Sequence, residues 1–115
     1  MKTIFFTLVL FLVISSLDTF ARTNTLMDKQ YIFTNVNVVL SNNHLVLGGR
    51  VSGGPYCKTL KAKFIVQNSH GETRVITTYI EDVGRGGQIV SGRVREYGKN
   101  AESWDALQVS TYCIQ

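Results

Sequence analysis

The chain has 115 residues, 44% of them hydrophobic and 17% charged, with a formal net charge of +4 at pH 7. That balance excludes a disordered chain, and the length excludes more than one sizeable core. The first segment in chain order is a targeting one. Lys2 supplies a positive start, and Ile4 to Leu17 is apolar apart from Thr7, Ser15 and Ser16. Thr19-Phe20-Ala21 places small residues where signal peptidase reads, so residues 1–21 are expected to be removed before Arg22. The apolar run is shorter than the roughly 20 residues a membrane span needs, and no basic cluster follows it. The mature chain is therefore expected not to span a membrane. Lys2 and Asp18 leave together, so the net charge survives cleavage.

Residues 22–30 are polar and read as a flexible lead-in to a single domain over residues 31–115. From Tyr31 to Leu40 the parity of Ile32, Val36, Val38 and Leu40 predicts a strand with those side chains inward, Thr34 being the exception. Ser41-Asn42-Asn43 suits the positive φ angles of a tight hairpin turn. The next run, His44 to Val51, puts Leu45, Leu47 and Val51 inward, with Gly49 on that face marking a bulge or a close backbone approach. Ser52-Gly53-Gly54-Pro55 ends it. Thr59 to Gln67 alternates cleanly, with Leu60, Ala62, Phe64 and Val66 in and Lys61 and Lys63 out.

After a turn at Asn68-Ser69-His70-Gly71, Thr73 to Val83 carries Val75, Ile76, Tyr79 and Ile80 on both faces and reads as covered on both sides. Gly84 to Gly87 turns the chain again. Gln88 to Glu96 has Val90, Gly92 and Val94 on one face and Arg93 and Arg95 on the other. The last run, Trp104 to Ile114, is read with Leu107, Val109, Thr111 and Cys113 sharing a face. About six or seven strands with short connections predict an all-β domain, a single antiparallel β-sandwich or small barrel.

The run Leu45 to Val51 with its paired glycines, the strand Leu60 to Val66, the Asn68 to Gly71 turn and the strand Gly87 to Val94 resemble small immunoglobulin-like bacterial envelope domains of the FxLYD type. The Phe-x-Leu-Tyr-Asp motif itself is absent, and Gly86-Gly87 stands where Pro-Gly is usual. The resemblance implies an immunoglobulin-like sandwich that serves as a binding or packing module.

An exported chain with exported chemistry joins its cysteines, and Cys57 and Cys113 are the two present. Such a bond stabilises by roughly 4 kcal/mol through the long loop it closes. Residues 22–115 hold no Asn-x-Ser/Thr sequon, which favours a bacterial envelope, periplasmic or secreted, over a glycosylating route. No catalytic residues are assigned. His44 and His70 both fall in or beside turns without a third metal ligand, and no serine sits in Gly-x-Ser-x-Gly. Glu81 and Asp82 are neighbours in a strand and point to opposite faces, so they cannot flank one bond. The glycine clusters match no phosphate-binding loop. Neither metal nor cofactor is expected.

What remains is a basic set: Lys61, Lys63, Arg93 and Arg95, with Lys58 and Arg50 nearby. Each pair is spaced by two and projects from one side of its strand. In one sheet they form a positive patch. The aromatics Tyr31, Phe33, Tyr97, Trp104 and Tyr112 exceed what the inward faces absorb, and they either cap the ends of the sandwich or form a recognition surface. The expected function is a non-catalytic exported interaction module that docks another envelope or surface protein through a sheet face or edge strand. The alternative is a binder of a small ligand or anionic surface through the basic face. Nucleic acid is not an expected partner, because no aromatic residues interleave with those cations.

Overall fold

The computed structural model describes residues 23–84, 86–96 and 103–114. The expected signal segment and Tyr97 lie outside them. The described chain forms β1 (Asn24–Asp28), β2 (Tyr31–Ser41), β3 (His44–Gly53), β4 (Cys57–Asn68), β5 (Thr73–Val83), β6 (Gln88–Arg95) and β7 (Trp104–Ile114). All ladders are antiparallel and join in the order β5-β4-β7-β2-β3-β6, with β1 added to β2. The sheet curls until β5 rests against β6, so the all-β architecture is nearly a barrel.

Local chemistry sets the hairpins. Asn42 and Asn43 adopt φ of 49° and 62°, and Ser41 pairs with His44, as a two-residue turn of the mirror-image type requires. Between β4 and β5, the Asn68 side chain does the work that backbone cannot. Its Oδ1 accepts from the amides of His70 and Glu72 at 2.9 Å each, while its Nδ2 donates to the Glu72 carboxylate at 2.8 Å. Asn68 is buried, and these bonds satisfy it.

Two bulges account for the places where simple alternation misleads. Thr34 pairs with Arg50 but Asn37 pairs with Gly48, so β2 carries an extra residue around Asn35, whose φ is 54°. The parity of β2 flips there. Tyr31 and Phe33 are buried before the bulge in place of the predicted Ile32, while Val36 and Val38 are buried after it as read and Leu40 packs against the core. Gly49 lies opposite: a Cβ there would stand 3.1 Å from the Thr34 carbonyl oxygen and 3.3 Å from Val36 Cα. The predicted close approach at Gly49 is thus observed. The second bulge is in β7, where Ile65 faces Gln108 but Val66 faces Ala106, leaving Leu107 over. Leu107 is exposed, contrary to the expected inward face, and Trp104 and Ala106 are buried instead. Val109 and Thr111 are buried as read.

Two further expectations are corrected. Residues 24–28 form β1 rather than part of a flexible lead-in. β5 is covered on one side only, with Ile76, Thr78 and Ile80 buried and Val75 and Tyr79 facing outward.

The barrel is held at two seams by side chains rather than ladders. At one, Thr78 Oγ1 donates to the Ser91 carbonyl at 2.6 Å, and Arg74 Nε donates to Glu96 at 2.7 Å. At the other, β1 meets β7. Asn24 Nδ2 donates to the Ala106 carbonyl at 2.8 Å, and Asp28 Oδ2 accepts from the Thr111 amide at 2.7 Å and its hydroxyl at 2.5 Å. Lys29 Nζ donates to the Thr111 carbonyl and lies 3.6 Å from Asp28.

The Thr111 hydroxyl foremost, then its amide and Lys29, hold the Asp28 carboxyl below its usual value of 3.8, against the opposing effect of partial burial. A lowered folded pKa makes this carboxylate stabilising above the unfolded value, and the contribution disappears as pH falls through the folded value. Asp28→Asn is therefore expected to cost roughly 1.5–3 kcal/mol at neutral pH, the worth of a hydrogen-bonded charge. Urea melts from pH 7 downward will check it: the gap between native and variant should close below pH 3.8. A gap constant with pH would show that the charge of Asp28 is not what holds β1.

The core runs between the two halves of the curled sheet. Phe33 of β2 and Phe64 of β4 are fully buried and meet edge to face, with centroids 5.3 Å apart. Leu45, Leu47, Val51, Leu60, Ala62 and Val66 surround them, all buried as predicted.

Candidate functional site

With Leu60, Ala62, Phe64 and Val66 committed to the core, the alternate residues of β4 must face outward. Register then decides their neighbours. Lys61 is flanked by Tyr79 of β5 on one side and Tyr112 of β7 on the other. Lys63 lies between Thr77 and Ser110, and Ile65 between Val75 and Gln108. Tyr79 is 57% exposed, Tyr112 68% and Val75 52%. Lys61 is half-buried, while Lys63 is exposed.

No carboxylate stands directly across from either lysine. Among the described residues, Lys61, Lys63 and Arg93 make no ion pair, whereas Arg74 and Lys29 do. Cross-strand opposite charges are a common way to settle a solvated sheet face, and this face does not use it. Its acids are confined to the ends. Glu81 accepts from the Thr59 hydroxyl at 2.9 Å, and Asp105 pairs in register with Gln67.

The structure brings the predicted basic residues only partly together. Lys61 and Lys63 lie at the centre of the β7–β4–β5 face. Arg93 and Arg95 are exposed on β6, which pairs with β3 and reaches the lysines only across β5. The outward side chains of β5 interrupt the cations with Tyr79 and Val75, so the surface is mixed apolar and basic rather than a continuous positive patch. Among the aromatics, Tyr31, Phe33 and Trp104 are buried, Tyr112 is exposed, and Tyr97 lies outside the described residues.

Cys57 and Cys113 are bonded, with Cα atoms 5.8 Å apart, joining the start of β4 to the end of β7. Beside them is an open cleft of about 670 Å³ lined by Lys29, Tyr31, Pro55, Thr111, Tyr112 and Cys113. Its polar groups are largely engaged, since Tyr31 donates to the Pro55 carbonyl at 2.7 Å and Lys29 bonds Thr111. A Cβ at Gly54 would fall 2.4 Å from the Tyr31 ring, so glycine is what lets this loop lie on that ring. The His44 ring nitrogen Nδ1 is 2.9 Å from the Asn42 carbonyl within its own turn. Among the described residues, no group of three or more His, Cys, Asp or Glu side chains comes together, and no helix is long and apolar enough to cross a membrane.

The fold and this face define a class: a small disulfide-linked antiparallel β domain with a mixed tyrosine–lysine sheet face. Comparison with protein-family models, curated proteins and solved structures returns no match.

Proposed function

We propose that the chain is a non-catalytic exported interaction module that docks another envelope or surface protein through the outward face of β7, β4 and β5. The observation that carries this is the row Tyr112–Lys61–Tyr79, with both tyrosines more than half exposed and the cation between them without a carboxylate opposite. Tyrosine is enriched in binding hot spots because it offers a large contact area at low entropic cost. A face kept merely for solubility would favour charge over exposed rings. The face is better supported than an edge strand, since the terminal strands β5 and β6 already lie against each other.

The finer reading of the fold goes with this one. The hydrogen-bonded groups β5-β4-β7 and β1-β2-β3-β6 meet in register at a single residue pair, Val38 with Trp104. Their inner faces pack through Phe33 and Phe64. We read them as the two sheets of an immunoglobulin-like sandwich, similar to FxLYD-type envelope domains. Export to the periplasm or beyond is supported by the disulfide and by the amino-terminal targeting pattern.

A photo-crosslinking residue at Tyr79, compared with one at the exposed Val39 of β2, tests the docking face in envelope extracts. A discrete adduct should form from position 79, and Lys61→Glu with Lys63→Glu should reduce it about tenfold. Equal labelling from both positions, or none from Tyr79, would sink the proposal.

A further inference from the structure

We infer that the partner presents an acidic, extended polypeptide segment that lies along β4 and pairs alternate carboxylates with Lys61 and Lys63; this rests on the docking face proposed above. The argument begins with desolvation. A partner covering Tyr79 and Tyr112 also covers Lys61, which sits between them in register. A cation removed from water without a counter-charge is costly, and a single well-placed carboxylate offsets most of that cost. Among the described residues, none directly opposite Lys61 or Lys63 supplies it: those positions hold tyrosine, threonine and serine. The partner must.

Geometry narrows the segment. Lys61 and Lys63 are two residues apart on one strand face, a separation of about 6.8 Å. An extended peptide has the same two-residue repeat, so acids at alternate positions fall into register with both lysines. The face is three strands wide, about 14 Å including the strands' own width, which suits a segment better than a whole folded surface. Its chemistry also argues for polypeptide over a denser polyanion. Two lysines stand among Tyr79, Tyr112, Ile65 and Val75, an apolar and aromatic setting over which an extended backbone and the stems of its acids can lie, with the residues between the acids turned away from the face. A sulfated glycan or an anionic bilayer would call for a broader run of cations than the two at this face's centre.

The test uses the oxidised mature domain and a synthetic peptide of alternating Glu and Val, titrated by fluorescence anisotropy. Controls are the Gln–Val counterpart, a heparin fragment and phosphatidylglycerol vesicles. The Glu–Val peptide should bind, and the Gln–Val peptide should bind at least about tenfold more weakly. Raising ionic strength from about 0.1 M to about 1 M, which shortens the screening length from about 10 Å to about 3 Å, should weaken binding sharply. Lys61→Glu with Lys63→Glu should abolish it. Tyr79→Ala with Tyr112→Ala, which keeps both charges, should weaken it about tenfold and guards against misfolding of the charge-reversed form. No binding of the Glu–Val peptide, binding equal to that of the Gln–Val peptide, or preference for heparin or vesicles would overturn the inference. A crosslinked partner whose adduct at Tyr79 maps to a neutral segment would overturn it too, while leaving the docking face standing. Loss of every adduct at Tyr79 would remove the docking face itself.

Discussion

Phe64→Ala is expected to lower the stability of the domain by about 3–5 kcal/mol, through lost transfer energy and the cavity left behind. Phe64 is fully buried near the middle of β4, the strand that pairs with both β5 and β7. Its ring meets Phe33 at an interplanar angle of 87°, so the change also removes an edge-to-face contact across the barrel. For a domain whose whole stability is of order 5–15 kcal/mol, that is a large share. Urea unfolding of Phe64→Ala, Phe33→Ala and the double variant will measure it. The cycle should return a coupling of about 0.5–1.5 kcal/mol for the ring pair. A loss under about 1.5 kcal/mol for Phe64→Ala would mean that the site collapses around the gap, as volume-tolerant cores do. Lys63 and Ile65 flank Phe64 on the outer face, so its removal should also loosen the proposed docking surface.

The core of β3 and β4 was legible because both strands alternate without interruption and one face is buried. Leu45, Leu47 and Val51, and Leu60 to Val66, needed only period two. β2 and β7 were misread on the amino-terminal side of their bulges, since one extra residue reverses the parity there relative to the residues that follow, which were read correctly. The local sign was present at Thr34, a polar break in an apolar parity. At Leu107 there was none, because a leucine in the extra position reads like any core residue. β1 was invisible to periodicity. Asn24 and Asp28 hold it to β7 through bonds to residues more than 80 positions away, which no local pattern reports.

The proposed docking face was half legible. The turn at Asn68–Gly71 fixes the β4–β5 register, so the pairing of Lys61 with Tyr79 follows from counting back from Gln67 and Thr73. Tyr112 could not be placed in that way. β7 reaches β4 only after β5, β6 and a long connection, and its register is set by the core and the Leu107 bulge. The same crossover explains why Arg93 and Arg95 were grouped with the lysines. Parity placed all four outward, but parity does not say which strands are neighbours.

Removing the cross-link should have an effect of similar size to losing Phe64. Cys57 and Cys113 are 56 residues apart, and closing a loop of that length confines the unfolded chain by about 4 kcal/mol on the entropic account. Cys57→Ser with Cys113→Ser, or reduction of the native protein, should lower the urea midpoint accordingly. The slope of the transition should rise as well, because an unlinked chain exposes more surface when it unfolds. Oxidised and reduced forms agreeing within about 1 kcal/mol would show that the bond contributes little beyond the β4–β7 ladder it spans. The functional consequence follows from position. Cys113 lies between Tyr112 and Ile114, whose partners across the ladder are Lys61 and Thr59. Unlinking the end of β7 should let that strand fray and carry Tyr112 out of register with Lys61. Binding at the proposed face should then weaken even at temperatures where the reduced domain remains folded, so the proposed docking would depend on the cross-link as well as on the ladder.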